Sequence, residues 1–205
     1  VCNLSSLNLG KVFKEDVLKR VVNIQVRMLD NVIDINTLPV QQARVTNQKY
    51  RSVGLGTFGF HQLLAQKGIQ WESDEAVNFT DEIYETIAYE AIRASMNLSK
   101  ERGAYPLYEG STWETGEYFT QKGYFEEGRQ DWEGLAAEVK EHGVRNGYLM
   151  AVAPNSSTAN IADSTSGIDP IFQPFYHEEK KDFKIPKVAP DMDHNTYDIY
   201  RRSAY

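Results

Sequence analysis

Apolar residues recur at helical spacing along the first part of the chain. They follow one another three or four residues apart from Phe13 to Ile35, which predicts a helix with a broad apolar face. The members of that face are Val17, Val21, Ile24, Met28 and Val32, with Leu18, Val22, Leu29 and Ile33 alongside. The preceding residues 1–9 alternate loosely, and this pattern predicts a short buried strand that Gly10 ends.

A second helical stripe follows further along the chain. It consists of Phe79, Ile83, Ile87, Ala91, Ala94 and Leu98. Ser73 or Asp74 is suited to cap this helix, and Gly103 to end it. Residues 40–50 are polar and fit either a short helix or a loop. Residues 104–130 predict a surface excursion with room for one short helix, after which Asp131 caps a helix over residues 132–142.

A glycine-rich run, Arg51 to Phe60, contains the spacing G-x-G-x-x-G. In a dinucleotide-binding fold that spacing follows a strand, but the residues before this run do not have a strand pattern. The residues after it, HQLLAQKG, continue as a helix. We therefore predict small residues that let a helix pack tightly on a neighbour rather than a nucleotide fingerprint.

The stretch from Tyr148 to Thr158 combines an apolar run with a polar turn. Tyr148 to Ala153 predicts a strand, Pro154 ends it, and the polar run that follows opens a helix. The turn consists of Pro154, Asn155, Ser156, Ser157 and Thr158. A helix start with Asn155 or Ser156 as its cap places N–H groups and hydroxyls where they could bind a phosphate or other anion. An ordinary capped helix start explains the same residues, and both interpretations stay open here.

The remaining pattern indicates an α/β protein in which helices cover strands. Asp169 to Tyr176 predicts a strand interrupted by prolines, and Glu178 to Lys187 a charged hairpin arm. A polar turn at the carboxyl end of a strand is where ligands bind in such folds.

Composition narrows the class of protein. The chain has 205 residues and a formal net charge of −7, with no block of Lys or Arg, which argues against nonspecific nucleic-acid binding. Its apolar runs are too short to span a bilayer, and its N-terminus does not resemble a secretory signal. Because it has one cysteine, it cannot form an internal disulfide. This suits a reducing compartment, so we expect a cytoplasmic location without membrane association.

Single titratable residues give weaker signals. The histidines, His61, His142, His177 and His194, are not paired at i, i+4, so we do not expect a metal site. The loop Asp191 to His194 is more typical of helix caps than of metal ligands. Cys2 could be a redox thiol, but a lone cysteine is more often a small buried hydrophobe, and the residues alone favour that interpretation.

The central stretch nevertheless resembles the signature of the ribonucleotide reductase large (catalytic) subunit. The positions that carry the resemblance are Trp132, Leu135, Gly143, Val144, Arg145, Asn146, Met150, Ala151 and Pro154. Three further segments resemble the family in its order: Cys2 to Leu9, Arg51 to Gly56, where that family has a helix start, and Ser164 to Pro170. The resemblance covers essentially the whole chain, residues 1–205, as a single segment of the catalytic domain.

The resemblance implies a fold and site residues. The family's catalytic domain is a ten-stranded α/β barrel made of two antiparallel halves of five parallel strands, and this chain would be most of the second half. Pro154 to Thr158 would bind the substrate's diphosphate. Cys2 would be a redox cysteine that forms a disulfide with a cysteine from the first half. That role overturns the buried-hydrophobe interpretation, through the resemblance alone.

The resemblance also implies an activity and partners. The activity is the reduction of ribonucleoside diphosphates by thiyl-radical chemistry. No cofactor would bind this segment directly, because a small subunit with a metal cofactor would supply the radical. A thioredoxin or glutaredoxin would reduce the cysteine pair, and the full-length large subunit would form a homodimer. One alternative is the adenosylcobalamin-dependent class of the family. Another is a non-catalytic nucleotide-binding remnant of a split gene.

Two departures from the family pattern bear on activity. The family's radical cysteine, in an Asn-x-Cys-x-Glu loop, would precede Val1, and the Tyr-Tyr pair of radical-relay members would follow Tyr205. We therefore expect this chain to be an internal piece of a longer polypeptide and to be inactive alone. Asn155 and Ser156 also stand where some relatives have Ser and Glu, which puts the side-chain contribution of the turn in question.

Overall fold

A computed structural model describes residues 2–179 and 181–203, which form a mixed α/β structure. The predicted features at Val1 and at the end of the chain, residues 204–205, lie outside the described residues. The helices are α1 (Leu9–Lys14), α2 (Leu18–Ile35), α3 (Gln41–Tyr50), α4 (Phe60–Lys67), α5 (Asp74–Arg102), α6 (Thr112–Thr115), α7 (Glu117–Gln121), α8 (Tyr124–Glu127), α9 (Trp132–His142), α10 (Ser156–Ile161) and α11 (His194–Ser203). The strands are β1 (Leu4–Asn8), β2 (Gly54–Phe58), β3 (Phe175–Glu179) and β4 (Lys184–Val188).

The strands form two small sheets. Strand β1 pairs with β2, and β3 pairs with β4. Strands β3 and β4 are antiparallel, with Phe175 opposite Val188 and Glu179 opposite Lys184. This hairpin confirms the predicted charged arm. The predicted strand over Asp169 to Tyr176 begins only at Phe175, because the prolines before it have no N–H to donate to a ladder.

Two compact units make up the chain. The first consists of Val1–Ser5, Leu18–Gly56 and Glu82–Ala151, and the second of Ser6–Val17, Thr57–Asp81 and Val152–Tyr205. In the first unit, α2 buries Val22, Val26, Leu29 and Ile33. In the second unit, α4 packs against α1 and α11, and its Ala65 joins a cluster with Ala189, Ile199 and Tyr200.

The first predicted helix is divided into α1 and α2. The break falls at Glu15 to Val17, where Asp16 adopts a positive φ of 53° that ends a right-handed helix. Gly10 lies within α1 rather than ending the strand. The predicted apolar face of α2 is also only partly right, because Ile24 and Met28 are 46% and 60% exposed.

The glycine-rich run forms strand β2, so the prediction of a tightly packed helix, like the helix start that the resemblance suggested, is wrong. Every residue of β2 is buried. A Cβ on Gly54 would stand 2.4 Å from Leu4 Cδ2 and 3.0 Å from Ala151 Cβ. The small residues therefore let strands approach closely, as glycine does inside sheets. Gly59, with φ of 78°, turns the chain from β2 into α4.

Two other predictions are corrected by burial. Strand β1 exists, but of its five residues only Leu7 is buried. Residues 104–130 form three short helices instead of one, α6 to α8, and they bury Trp113 and Phe119. Aromatic packing explains this order: the ring of Tyr124 stacks on Trp132 with centroids 3.8 Å apart.

The predicted helix boundaries around α5 and α9 are confirmed. Ser73 Oγ accepts a hydrogen bond from Ala76 N at 3.0 Å, and Gly103 follows the last turn of α5 with φ of 83°. Asp131 caps α9 by accepting from Gly134 N at 3.0 Å. Of the two possibilities for residues 40–50, the helix is the one formed. No helix within the described residues is long and apolar enough to cross a membrane.

Candidate functional site

The segment before the polar turn is extended and pairs with β2. Leu55 N donates to Leu149 O at 2.8 Å, and Ala151 N donates to Leu55 O at 3.1 Å. Leu55 and Met150 form a parallel bridge, so the predicted strand is present in a shortened form. Leu149 is buried, whereas Met150 is 41% exposed. The chain then leaves this ladder and continues into the turn.

The polar turn begins helix α10. Asn155 occupies the N-cap position, and Ser156, Ser157 and Thr158 form the exposed first turn. Ala159, fully buried, fixes the helix to its own unit. The first N–H groups of any helix have no acceptor within the helix, and here they are accompanied by hydroxyls. The arrangement is therefore suited chemically to accept the oxygens of an anion.

The side chain of Asn155 does not cap the helix. Its Nδ2 instead donates to Ser6 Oγ at 3.0 Å and to Ala153 O at 2.9 Å. The sequence correctly predicted that the helix begins at Asn155 or Ser156, but it did not predict the hydrogen bonds that the Asn155 side chain makes. The amide spans from the turn to strand β1, a contact that sequence spacing could not reveal.

The loop after α10 is held by buried polar contacts. Ser164 N donates to Ala159 O at 2.9 Å, and Ser164 Oγ donates to Gln62 Oε1 at 2.6 Å. Gln62 N in turn donates to Thr165 Oγ1 at 3.2 Å. A Cβ on Gly59 would stand 2.4 Å from Ser164 Oγ, so this close approach also requires glycine. The carboxyl end of α10 is thereby fixed to α4.

A cavity of about 760 Å³ lies along the same helix. Ser156 and Asn160, one helical turn apart, form part of its wall, together with Phe172 and Lys187. Its volume is in the range of small-molecule sites. Ser157 and Thr158 are not among its lining residues, so the cavity adjoins the turn without containing it.

Cys2 is an exposed free cysteine. The prediction of a buried hydrophobe, made from the residues alone, is wrong. Asn3, the next residue, is fixed by two hydrogen bonds: its Nδ2 donates to Leu29 O at 2.8 Å, and its carbonyl oxygen accepts from Gly54 N at 2.9 Å. An exposed thiol next to a fixed backbone is accessible to a thiol or disulfide partner.

The signature residues Arg145 and Asn146 belong to a buried charge cluster, which we call the Asp30 cluster. Arg51 donates from Nε and Nη2 to Asp30 Oδ1 at 2.9 and 2.8 Å. Asn146 Nδ2 donates to the same oxygen at 3.2 Å, and Arg145 and Arg102 reach Asp30 Oδ2 at 3.3 and 3.1 Å. The Asp30 side chain is 0% exposed. Such a carboxylate is retained only when its oxygens are paired.

The Asp30 cluster was not predicted, although one signal pointed to it. Asp30 lies between Leu29 and Ile33 on the buried face of α2, where a charged residue is unusual. Arg51 also reaches Asp34 at 2.8 Å, and this hydrogen bond lowers the pKa of the Asp34 carboxyl. The cluster fixes the chain before β2 and the chain before the extended segment.

Trp132, the first signature residue, has a comparable structural role. Its Nε1 donates to Glu85 Oε1 at 2.9 Å. Burial alone would raise the pKa of Glu85, but the hydrogen bonds from Trp132 and Arg129 lower it overall. Of the other signature positions, Leu135 and Val144 are buried and Gly143 ends α9 with φ of 72°. Most of the signature therefore builds the fold.

The histidines do not assemble a metal site. Within the described residues, no group of three or more His, Cys, Asp and Glu side chains could hold a metal ion. His61 is fully buried, accepts from Ile171 N through Nδ1 at 3.0 Å, and contacts the rings of Trp71 and Tyr200. Burial lowers its pKa to about 4. The acidic loop behaves as predicted, because Asp193 caps α11 by accepting from Asn195 N and Thr196 N.

Comparison with known proteins shows which family this chain resembles. The family described as the ribonucleotide reductase barrel domain matches residues 1–203. The ribonucleoside-diphosphate reductase subunit alpha of Treponema pallidum is 50% identical over 203 residues, which cover 98% of this chain and 24% of that protein. The subunit of the same name from Helicobacter pylori is 43% identical over 216 residues, which cover 100% of this chain and 27% of that protein. The ribonucleoside-diphosphate reductase large chain of Encephalitozoon cuniculi is 36% identical over 176 residues, which cover 83% of this chain and 23% of that protein.

The fold and the site define a mixed α/β protein with a polar turn at the start of a helix. The chain belongs to the ribonucleotide reductase barrel-domain family, as its signature residues suggested. It spans about a quarter of the length of the relatives it matches. Its described strands form two two-stranded sheets and not a closed barrel.

Proposed function

We propose that this chain is a segment of a ribonucleotide reductase catalytic subunit. Within the longer polypeptide it would take part in reducing ribonucleoside diphosphates to 2′-deoxyribonucleoside diphosphates. The observation that supports this most strongly is the polar turn at the start of α10, in a chain of this family. The names of the relatives, ribonucleoside-diphosphate reductase, support the diphosphate as substrate. The chain would contribute most of the second half of a ten-stranded barrel.

The turn would hold the diphosphate. Pro154 ends the extended segment, and the N–H groups that follow it, with the hydroxyls of Ser157 and Thr158, would donate to phosphate oxygens. Ser156, Ser157 and Thr158, the first three residues of α10, are exposed, which leaves their N–H groups and hydroxyls accessible to a ligand. Binding at the phosphate would fix the ribose relative to the reacting groups, a positioning contribution to the rate.

Cys2 would be one of two cysteines that reduce the ribose. A protein thiyl radical removes the 3′-hydrogen and later returns one. The 2′-hydroxyl leaves as water, a hydrogen takes its place, and the two thiols supply the two electrons and become a disulfide. A thioredoxin or glutaredoxin would then reduce that disulfide by thiol–disulfide exchange. The exposure of Cys2 supports access by such a partner.

The other partners lie outside this chain. Relatives are named as alpha subunits, which supports a second subunit that generates the radical with its metal cofactor. A homodimer of the full-length large subunit completes the proposed assembly. We place no cofactor on this segment, since the radical would come from that second subunit.

Replacing Cys2 with Ser tests this function. In the full-length protein with its radical-generating subunit, C2S should abolish repeated turnover with a thioredoxin-type reductant, because serine cannot form the disulfide. Binding of the diphosphate substrate should be unchanged, since Cys2 is not in the turn. Undiminished turnover by C2S would refute the redox role of Cys2. Loss of both turnover and substrate binding would indicate a structural role instead.

A further inference from the structure

We infer that the Asn155 side chain is a positioning group that ties the polar turn to strand β1 through Ser6, and is not itself a phosphate ligand. The inference rests on the proposed function, in which the turn binds the diphosphate. It assigns roles to two residues, Asn155 and Ser6, for the same reaction. Both belong to the second compact unit.

The donors of the Asn155 amide are already in use. A carboxamide NH₂ has two hydrogens to donate, and here one is directed at Ser6 Oγ and the other at Ala153 O. An exchanged orientation of the amide would place its oxygen against the Ala153 carbonyl oxygen, two acceptors in contact, so the orientation is determined by its partners. The remaining Asn155 oxygen is an acceptor, which a phosphate oxygen would repel. Asn155 therefore has no side-chain donor to offer a phosphate.

The same two bonds constrain the geometry of the turn. One crosses Pro154 back to Ala153 and fixes the bend where the chain leaves the extended segment. The other joins the turn to β1, the strand that follows Cys2 in the sequence. If the amide is lost, the N–H groups and hydroxyls of residues 156–158 are still present. The turn is then free to shift relative to β1.

Such a shift should affect rate more than affinity. A phosphate can follow a displaced turn and keep its hydrogen bonds, whereas the ribose attached to it loses its alignment with the reacting groups. Misplacement by about 1 Å can reduce the rate of an enzyme about a hundredfold. A ligand role would have the opposite signature, with weakened binding as the main effect.

A double-mutant cycle separates the two roles. N155A, S6A and the double variant are prepared in the full-length protein and assayed with the radical-generating subunit. S6A should lower kcat about tenfold, the equivalent of losing one hydrogen bond, and N155A, which also loses the bond to Ala153, should lower it at least as much. Both should change the dissociation constant of the diphosphate by less than about threefold. The double variant should be no worse than N155A alone, because the contact that S6A removes is already lost in N155A.

Several controls keep the test decisive. Ser5 is adjacent to Ser6 and points to the opposite side of β1, so S5A should retain full activity. S6T keeps the hydroxyl oxygen and should retain most of kcat. If N155A does not fold, the comparison of S6A with S6T decides the question: a low kcat restored by threonine supports the inference.

Three results would overturn it: additive losses in the double variant, equal kcat for S6A and S6T, or a tenfold loss of diphosphate affinity in N155A with S6A unchanged. Failure of the proposed function has a different signature. If the turn does not bind the diphosphate, S157A/T158A would bind it with unchanged affinity, and if Cys2 has no redox role, C2S would turn over normally, whatever the result of the cycle.

Discussion

The Asp30 cluster and the polar turn are two polar regions that differ in where their hydrogen-bonding groups lie: buried and paired in the first, exposed to solvent in the second. In the Asp30 cluster, a carboxylate with 0% side-chain exposure accepts from three arginines and an asparagine. In the turn, the side chains of Ser156, Ser157 and Thr158 are exposed at a helix start. Buried polar groups must find partners within the protein, whereas exposed ones remain available to a ligand. The comparison separates the residues that build this segment from those proposed to bind substrate.

The family signature contributes to both regions. Arg145 and Asn146 bind Asp30, and Pro154 opens the turn a few residues later. A sequence match therefore identifies the family without telling which residues act on a substrate. Asn155 adds a third category, because it is a turn residue whose side chain faces inward to Ser6.

Removing the central carboxylate should have the largest effect on stability. D30A would leave Arg51, whose side chain is 6% exposed, with a buried charge that has lost its main partner. We expect unfolding to become easier by about 3–5 kcal/mol, the cost of breaking a buried ion pair from one side. Urea unfolding of the variant and the parent protein measures the difference.

Asp34 provides the matched control for that prediction. It lies one turn further along α2 and pairs with the same Arg51, but its side chain is 50% exposed. D34A should therefore cost less than about 1 kcal/mol. Equal effects of D30A and D34A would show that burial is not what makes the cluster important.

Loss of the turn hydroxyls should affect binding and leave stability unchanged. S157A/T158A removes two hydroxyls that we propose to donate to the diphosphate, and charge-assisted bonds contribute about 1.5–3 kcal/mol each. The affinity for a ribonucleoside diphosphate should fall about a hundredfold or more, as measured by calorimetric titration. T112A/T120A, which removes two exposed hydroxyls elsewhere, should bind normally. An unchanged affinity in S157A/T158A would contradict the phosphate role.

The smallest predicted effect concerns pH and the buried His61. Its pKa in the folded protein is about 4, below the ordinary value of 6.5, so the unfolded chain binds its proton first as pH falls. The stabilising contribution is fully present above about pH 6.5, is lost as pH falls, and levels off below about pH 4. Between pH 7 and pH 5 this group should account for about 2 kcal/mol of lost stability.

H61N isolates that contribution, because its amide oxygen can still accept from Ile171 N but does not titrate. The rest of the chain is identical in both proteins, so its contribution cancels in the difference. Parallel stability curves for H61N and the parent between pH 7 and pH 5 would exclude a titrating His61 and indicate that other groups cause acid instability.

Periodic patterns and caps were predictable from the sequence, since they depend on neighbours along the chain. The stripe of α5, the Asp131 cap and the β3–β4 hairpin followed from local spacing. The prediction for the glycine-rich run was wrong because its conformation does not depend on neighbours along the chain. Its conformation depends on Leu4 and Ala151, which approach Gly54 from distant parts of the chain. The burial of Trp113 and Phe119 likewise depends on aromatic partners that the local composition did not indicate.

The candidate site was predicted to a similar extent. The polar turn from Asn155 to Thr158 could be located, because a strand pattern, a proline and a polar helix start are adjacent in sequence. The exposure of Cys2 could not be derived from its neighbours, and only the family resemblance suggested a role for it. The partner of Asn155 could not be predicted either, because Ser6 lies 149 positions away.

The sequence alone determined the helical stripes, the position of the turn and membership of a family. Each of these is encoded in side-chain chemistry at fixed spacing along the chain. Tertiary structure decided that the glycine-rich run is a strand, that Asp30 gathers three arginines, and that Asn155 faces Ser6. These outcomes depend on which distant groups come within hydrogen-bonding or van der Waals distance. Only the packed chain sets that proximity, and it determines whether a polar residue stabilises the fold or remains free to bind a ligand.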